Sequence, residues 1–430
     1  MLNIAIIIIS ILSGFSLFVP VFSGYFLALL MLLIGGVAKF LPMQPVETRC
    51  KYQFQERLRG VSRALLLFAA LCGLSCAASF GMGGYDGKDL LRGYLHFLAK
   101  NPVLWFSYWS FYWRFSIEGK DRQNFSWSFA VFSLVNLFYC IAQRSFGFDW
   151  IHGFSAVLPE NRFSNSVYRV SGFMGHPLSL GYCQALACVA ALALGFGCHR
   201  RWEKFAWYVG AVSALIVVMI SGSRGPQLVL LIGLLTLFPL SVVAKNWKIS
   251  VAVVLTLLLL GVKFGFFARF YELSSANLGG DMRMTHWAVY WHVFMDHFLF
   301  GIGPGGQEAA ISAYYLSVGA SDNIKIAHNA FLQYGAEYGA IGLVGLAAVV
   351  FAWFKLALGL VLVRRSMLAV ILVTLLGAFT QNNLQDSEYV LSFTVWLMLL
   401  VTLEVEAGES SKARRTKTQN SLTREGVEVT

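Results

Sequence analysis

Charge is what this chain has least of. Only 13% of its 430 residues are Asp, Glu, Lys or Arg, against 57% hydrophobic, where a soluble globular protein carries about a quarter charged residues. That shortage excludes an ordinary water-soluble domain. Alternation of apolar and polar residues is missing as well, which excludes an outer-membrane barrel. The two longest polar loops contain no cysteine. The seven cysteines (Cys50, Cys72, Cys76, Cys140, Cys183, Cys188 and Cys198) lie in or beside apolar segments, so no disulfide framework or zinc-ligand spacing is written into the chain. No internal repeat is visible, although many secondary transporters carry one. Neither a basic leader nor an A-x-A-like cleavage site accompanies the apolar stretch Met1–Val19, so it reads as an uncleaved first helix.

What the chain has instead is uninterrupted apolar blocks. Ala64–Phe80, Phe205–Ile220, Leu228–Ala244 and Ser250–Val262 hold no charge, and each approaches the roughly 17–25 residues that cross a bilayer. Lipid offers the backbone no hydrogen-bond partner, so such blocks must be helical. The expected fold is an all-α integral membrane protein with about twelve spans: 2–19, 21–42, 64–80, 93–113, 125–143, 173–198, 205–220, 228–244, 249–267, 340–363, 367–382 and 388–404. Lys100, Asn101 and Pro102 interrupt the fourth of these. Residues 1–404 form one transmembrane domain, and the polar stretch 405–430 reads as a disordered cytoplasmic tail.

The net charge of +11 does not point to nucleic acid, because the positive residues sit in short loops between apolar blocks. One alternate set of loops holds twenty Lys and Arg residues and the other nine. The positive-inside rule puts the richer set, with both termini, in the cytoplasm. Two long loops then face outward: 144–172, and 268–339 between spans nine and ten, the latter large enough for helices of its own. Long loops are commonly functional.

Seven of the nine outward charges are arginines: Arg92, Arg144, Arg162, Arg169, Arg224, Arg269 and Arg283. A guanidinium presents a planar fork suited to phosphate oxygens; anchoring to lipid headgroups is the plainer use. Arg224 sits in Ser-Gly-Ser-Arg-Gly-Pro (221–226), a very short connection between apolar blocks. Burying it at the bilayer centre would cost roughly 2.5–3.5 kcal/mol, so it must reach water or a partner. It marks either an anion-binding turn or a snorkelling hairpin. Arg169 opens a second cluster running to His176 and Pro177, and Arg283 a third with His286 and Trp287. The stretch 300–306 formally matches G-x-G-x-x-G, yet Pro304 interrupts it and no strand precedes it, so it reads as a compact turn with exposed backbone. His328 is a candidate general base, with Asn329 and Glu337 nearby in sequence, although a lone histidine is more often structural. His286, His292, His297 and Asp296 fit no familiar metal spacing; no metal and no cofactor is expected.

Taken in order, these elements resemble the O-antigen ligase and polymerase family. The set comprises Arg169 through Pro177, Ser223-Arg224-Gly225, Arg283 with Trp287 and the Gly301–Gly305 turn, then His328-Asn329 with Leu332, Glu337 and Gly339. The resemblance covers about residues 125–390. His176 stands where many relatives have asparagine before the proline. The resemblance implies a glycan transferase in the bacterial inner membrane, its site facing the periplasm, with undecaprenyl diphosphate-linked glycan as donor. The acceptor would be lipid A–core for a ligase, or a second lipid-linked repeat for a polymerase. Arg224 and Arg283, with Arg169 as a third, would hold the diphosphate, and His328 would activate the acceptor hydroxyl. Asn329 and Glu337 would support it. No carboxylate pair suited to a retaining double displacement is evident, so the expected reaction inverts. Ligation is the leading expectation and polymerisation the alternative; a lipid-linked glycan flippase is the reading from a different class.

Overall fold

The computed structural model describes residues 45–81, 87–103, 105–106, 119–147, 149, 163–164, 167–238, 282–304, 307–317 and 326–424. The architecture is helical: α1 (Pro45–Gly81), α2 (Gly87–Leu98), α3 (Gly119–Phe146), α4 (Pro177–Gly197), α5 (Arg201–Ile220), α6 (Arg224–Leu237), α7 (Met282–Asp296), α8 (Gln307–Ser317), α9 (Ala330–Leu358), α10 (Arg364–Thr380) and α11 (Ser387–Arg424). One small departure from all-α is an antiparallel pairing of Phe163–Ser164 with Val167–Tyr168, within the expected loop 144–172.

Six segments among the described residues are long and apolar enough to cross a membrane: Tyr52–Gly81, Arg122–Phe146, Pro177–Gly197, Arg201–Ile220, Ala330–Leu358 and Ser387–Gly408. Each coincides with an expected block. The expected spans 2–19, 21–42 and 249–267 lie outside the described residues, and for 228–244 only the 14-residue helix α6 is described. Of the expected span 93–113, residues 93–103 and 105–106 are described. Helix α2 stops at Leu98 and passes into a π turn, Ala99–Val103, that contains Pro102; proline removes a helical donor and clashes with the preceding turn. Helix α1 begins well before its apolar block. Its polar first half is rich in helix-forming residues, with Phe54, Leu58 and Val61 buried on one side and Arg57, Arg59 and Arg63 exposed on the other. Similarly, α11 runs on to Arg424 where a disordered tail is expected, because Glu, Lys, Arg and Gln propagate a helix that the preceding span has already nucleated.

Helix α4 is the axis of the bundle, buried along nearly its whole length among α5, α6, α10 and α11. Its small residues permit that approach: Gly181 meets Pro226 of α6, and Gly195 meets Tyr208 of α5. Towards the expected cytoplasmic end, Phe129 stacks edge-on against Trp396 with centroids 4.9 Å apart, and Trp207 completes the group. An ion cluster closes this end. Arg122 reaches Glu203 and Glu406, each at 2.5 Å, while the Cys198 thiol and the Trp207 indole also donate to Glu203. Outward-facing Val131, Phe138, Val344 and Phe351 are exposed on the span-length helices, as a lipid-facing surface requires.

Helix α9 is not one helix mechanically. At Gly339 the backbone adopts φ 64°, ψ −165°, outside the helical region, so the membrane-length portion starts at residue 340, where its apolar block begins. The break deprives carbonyls and amides of their partners within α9. The turn after α7 supplies replacements: Ile302 and Gly303 donate to Ala336 and Glu337 carbonyls at 2.8 Å each, and the Phe298 and Leu299 carbonyls accept from Ala340 and Ile341 at 2.7 and 3.3 Å. Gly301 and Gly303 have positive φ, which lets the turn lie flat on the helix backbone. Ser75 and Ser79 of α1 bond the same turn through the Phe300 and Gly301 carbonyls. The glycine-rich stretch is thus a stitch across a broken helix.

Candidate functional site

The α5–α6 connection is a tight turn. Ser221 folds its hydroxyl back onto the Val218 carbonyl at 2.8 Å, and Gly222 has φ 64°. Arg224 is the first residue of α6, at the positive end of the helix dipole, and the Ser223 side chain makes no cap bond to this end. Two further arginines reach this turn: Arg169 Nη2 donates to Ser223 Oγ at 2.9 Å, and Arg144 Nη1 to the Ile220 carbonyl at 3.2 Å. Three arginines from separate segments, each expected from the sequence to face outward, therefore meet at one short connection.

His328 lies one position before the Asn329 cap of α9 and is half-buried. Among the described residues it is the one non-glycine residue with positive φ, 50°, a conformation that costs of order 1–3 kcal/mol and persists only where neighbours enforce it. They do so from both sides. The Ala327 amide donates to Gln333 Oε1 at 2.8 Å, and Asn329 Oδ1 accepts from Phe331 and Leu332 amides at 3.0 and 3.2 Å. The imidazole is thereby held out of the helix, with Nδ1 2.8 Å from Gln381 Oε1. Its ring lies 6.0 Å from that of buried His286, whose Nδ1 pairs with the Tyr315 hydroxyl. Burial lowers the proton affinity of His328; the Gln381 bond opposes this, and the charge of Arg283 lowers it further.

Three consecutive residues at the end of α10 tie these parts together. Phe379 packs edge-on against Trp287 of α7 and also meets Phe331 of α9, centroids 6.0 and 6.1 Å apart. Thr380 Oγ1 bonds the Tyr182 hydroxyl of α4 at 2.5 Å, and Tyr182 presses on Gly225, beside Arg224, so closely that a Cβ there would overlap its hydroxyl. Gln381 holds His328. Arg283, from the first turn of α7, acts electrostatically on both Tyr182 and His328. The chain from Arg224 to His328 thus runs through Tyr182 and α10, with Arg283 alongside.

Of the site residues expected from sequence, Arg169 and Arg224 share one turn, while Arg283 and His328 lie within electrostatic reach of each other. Asn329 is a helix cap. Glu337 sits further along α9, buried and bracketed by amide groups of Gln333 and Gln385 at 2.7 Å each, in a polar knot near Tyr290 rather than at the His328 ring. His176 caps α4, its Nδ1 accepting from the Leu178 amide at 3.1 Å. An asparagine oxygen performs the same task at helix caps. Among the described residues no group of three or more His, Cys, Asp or Glu side chains is arranged to hold a metal ion; Asp296 instead accepts from Tyr314. Arg92 stands exposed on α2, and Arg162 and Arg269 fall outside the described residues. Tyr182, Thr380 and Gln381 are missed by sequence reasoning. The one available signal is a run of four polar residues, Thr380–Asn383, closing an apolar block.

This arrangement offers guanidinium groups and a helix N-terminus for an anion, linked through Tyr182 and the end of α10 to an imidazole whose proton affinity is lowered by burial. Residues 209–347, which include Arg224, Arg283, His328 and Glu337, match a family model described as O-antigen ligase. A search of curated proteins finds no match.

Proposed function

For a chain whose residues 209–347 match the O-antigen ligase family, we propose transfer of a glycan from undecaprenyl diphosphate to an acceptor hydroxyl at the periplasmic face of the inner membrane. We assign ligation to lipid A–core as the leading form. In the proposed reaction the acceptor hydroxyl gives its proton to His328 while its oxygen bonds to the anomeric carbon. The bond from that carbon to the diphosphate breaks, and its electron pair leaves on undecaprenyl diphosphate. A single displacement inverts the anomeric centre. Negative charge accumulates on the leaving group, where Arg224, Arg283 and Arg169 with the α6 N-terminus supply preorganised positive potential. A positioned base contributes about 10²–10⁴-fold. Asn329 and Glu337 support the array by holding α9 rather than by touching substrate.

The observation that carries this reading is the linkage of Arg224, through Gly225, Tyr182 and Thr380, to Gln381 and His328. The test is complementation of a strain lacking the gene by wild type, His328→Ala and Arg224→Ala at matched membrane levels, read on the surface-polysaccharide ladder. Both variants are expected to insert and fail to restore glycan. Loss of every repeat from the core marks a ligase, and retention of single repeats marks a polymerase. A full ladder from His328→Ala would remove the base assignment. Movement of lipid-linked glycan across liposomes with no new glycosidic bond would instead support a flippase.

A further inference from the structure

An imidazole has two nitrogens, and in the neutral ring one carries the proton while the other keeps its lone pair. Which is which decides whether His328 can act. Its Nδ1 lies 2.8 Å from the side-chain oxygen of Gln381. An amide oxygen accepts and cannot donate, so a bond in this geometry requires the proton on Nδ1 and leaves Nε2 basic.

Both partners are built in place. Gln381 terminates α10, its backbone N–H donating to the Gly377 carbonyl at 2.9 Å, and its neighbour Thr380 bonds Tyr182 at 2.5 Å. His328 is fixed by the bonds at Ala327 and Asn329 and by its left-handed backbone. The charged and titratable neighbours that face the ring are Arg283 and His286, both from α7. Arg283 cannot accept a proton, and His286 Nδ1 is paired with Tyr315 of α8. Gln381 supplies an acceptor oxygen at hydrogen-bond distance from Nδ1 of the ring.

We infer that Gln381 is a positioning residue: it holds neutral His328 with the proton on Nδ1 and turns Nε2 toward the acceptor hydroxyl. This rests on the transferase reading above for its purpose, though not for its geometry. The amide also suits the chemistry. As His328 takes the acceptor proton, Nδ1–H becomes a charged donor and its bond to the amide oxygen strengthens, so the contact contributes most when charge develops. A carboxylate in this position would bind the imidazolium more strongly, but would set a negative charge beside the departing diphosphate.

The experiment uses the full chain labelled with ¹⁵N-histidine in lipid nanodiscs, with the His328 signals assigned through His328→Asn, alongside transfer assays with undecaprenyl diphosphate-linked glycan. Wild type is expected to show a protonated Nδ1 and an unprotonated Nε2. Gln381→Leu should lose that preference, and its turnover should fall on the order of 10²-fold while donor KM stays within about twofold. Gln381→Glu should recover part of the turnover, with the acid limb of its pH profile moved upward. In a His328→Ala background, Gln381→Leu should add no further loss. A protonated Nε2 in wild type, or wild-type turnover in Gln381→Leu, overturns the inference. The two readings separate cleanly. A protonated Nδ1 in a protein that forms no glycosidic bond preserves the tautomer and removes the transferase; transfer with a protonated Nε2 does the reverse.

Discussion

Replacing Gly339 with alanine is expected to be among the most damaging single-methyl additions in this protein. At φ 64° and ψ −165° the residue occupies a region essentially reserved for glycine, where an L side chain costs of order 1–3 kcal/mol. A new Cβ would overlap the Leu299 carbonyl and come within 2.5 Å of the Phe300 amide nitrogen. Those are backbone atoms of the turn that stitches the break, so they cannot swing aside as a flexible side chain would. Relief requires the turn to lift, which sacrifices the bonds from Ala340 and Ile341 and weakens those into Ala336 and Glu337. Losing two of the four at about 0.5–1.5 kcal/mol each and adding the backbone strain gives a penalty of roughly 2–6 kcal/mol. Gly60→Ala is the matched control: it is exposed on α1, with nothing within 4 Å of the added methyl, and should be neutral or up to about 1 kcal/mol stabilising. The assay is thermal unfolding of both purified variants in one detergent, monitored by loss of the monodisperse peak. A Gly339→Ala transition coinciding with that of Gly60→Ala would refute the stitched-break account.

Four other outcomes follow from the same geometry. His176→Ala should destabilise by about 0.5–2 kcal/mol through loss of the α4 cap, whereas His176→Asn should melt close to wild type. Glu203→Ala leaves buried Arg122 with Glu406 as its remaining carboxylate and should cost about 3 kcal/mol, read as reduced thermal stability and membrane abundance with the polysaccharide ladder pattern of the surviving protein unchanged. For pH dependence the sign is fixed by the base being active when neutral. Burial and Arg283 lower the proton affinity of His328 against the opposing Gln381 bond, so activity should persist below the ordinary histidine value of about 6.5 and fall only as the pH drops through the lowered one. Arg283→Gln should move that acid limb upward; an unmoved limb would show that the two groups do not communicate.

Much of the architecture is legible in the residues. Uncharged blocks such as 205–220 and 388–404 announce helices because lipid leaves the backbone no other solution, and the start of the apolar block at residue 340 coincides with the break at Gly339. The arginine of the 221–226 turn stands out because its cost in lipid demands a partner. Pairing across sequence is what the residues do not reveal. The stretch 300–306 looks like a turn, but nothing local says that its amides serve a helix more than thirty residues later. Asn329 and Glu337 look like companions of His328 by proximity in sequence; one is a cap and the other faces Gln333 and Gln385. Gln381 carries no signal of its own, since a glutamine after an apolar block is an ordinary helix end. Lys100, Asn101 and Pro102 interrupt segment 93–113 in the sequence, and there the α-helix gives way to a π turn.

The end of α10 sets a tolerance for the whole array. Phe379, Thr380 and Gln381 reach three different neighbours in three consecutive positions, and each step along a helix advances about 1.5 Å and turns about 100°. A one-residue insertion or deletion within α10 would therefore not loosen one contact while sparing the others; it would aim all three at the wrong neighbour together. Register in this helix acts as a single setting, and the site it assembles is either wholly in phase or wholly out of it.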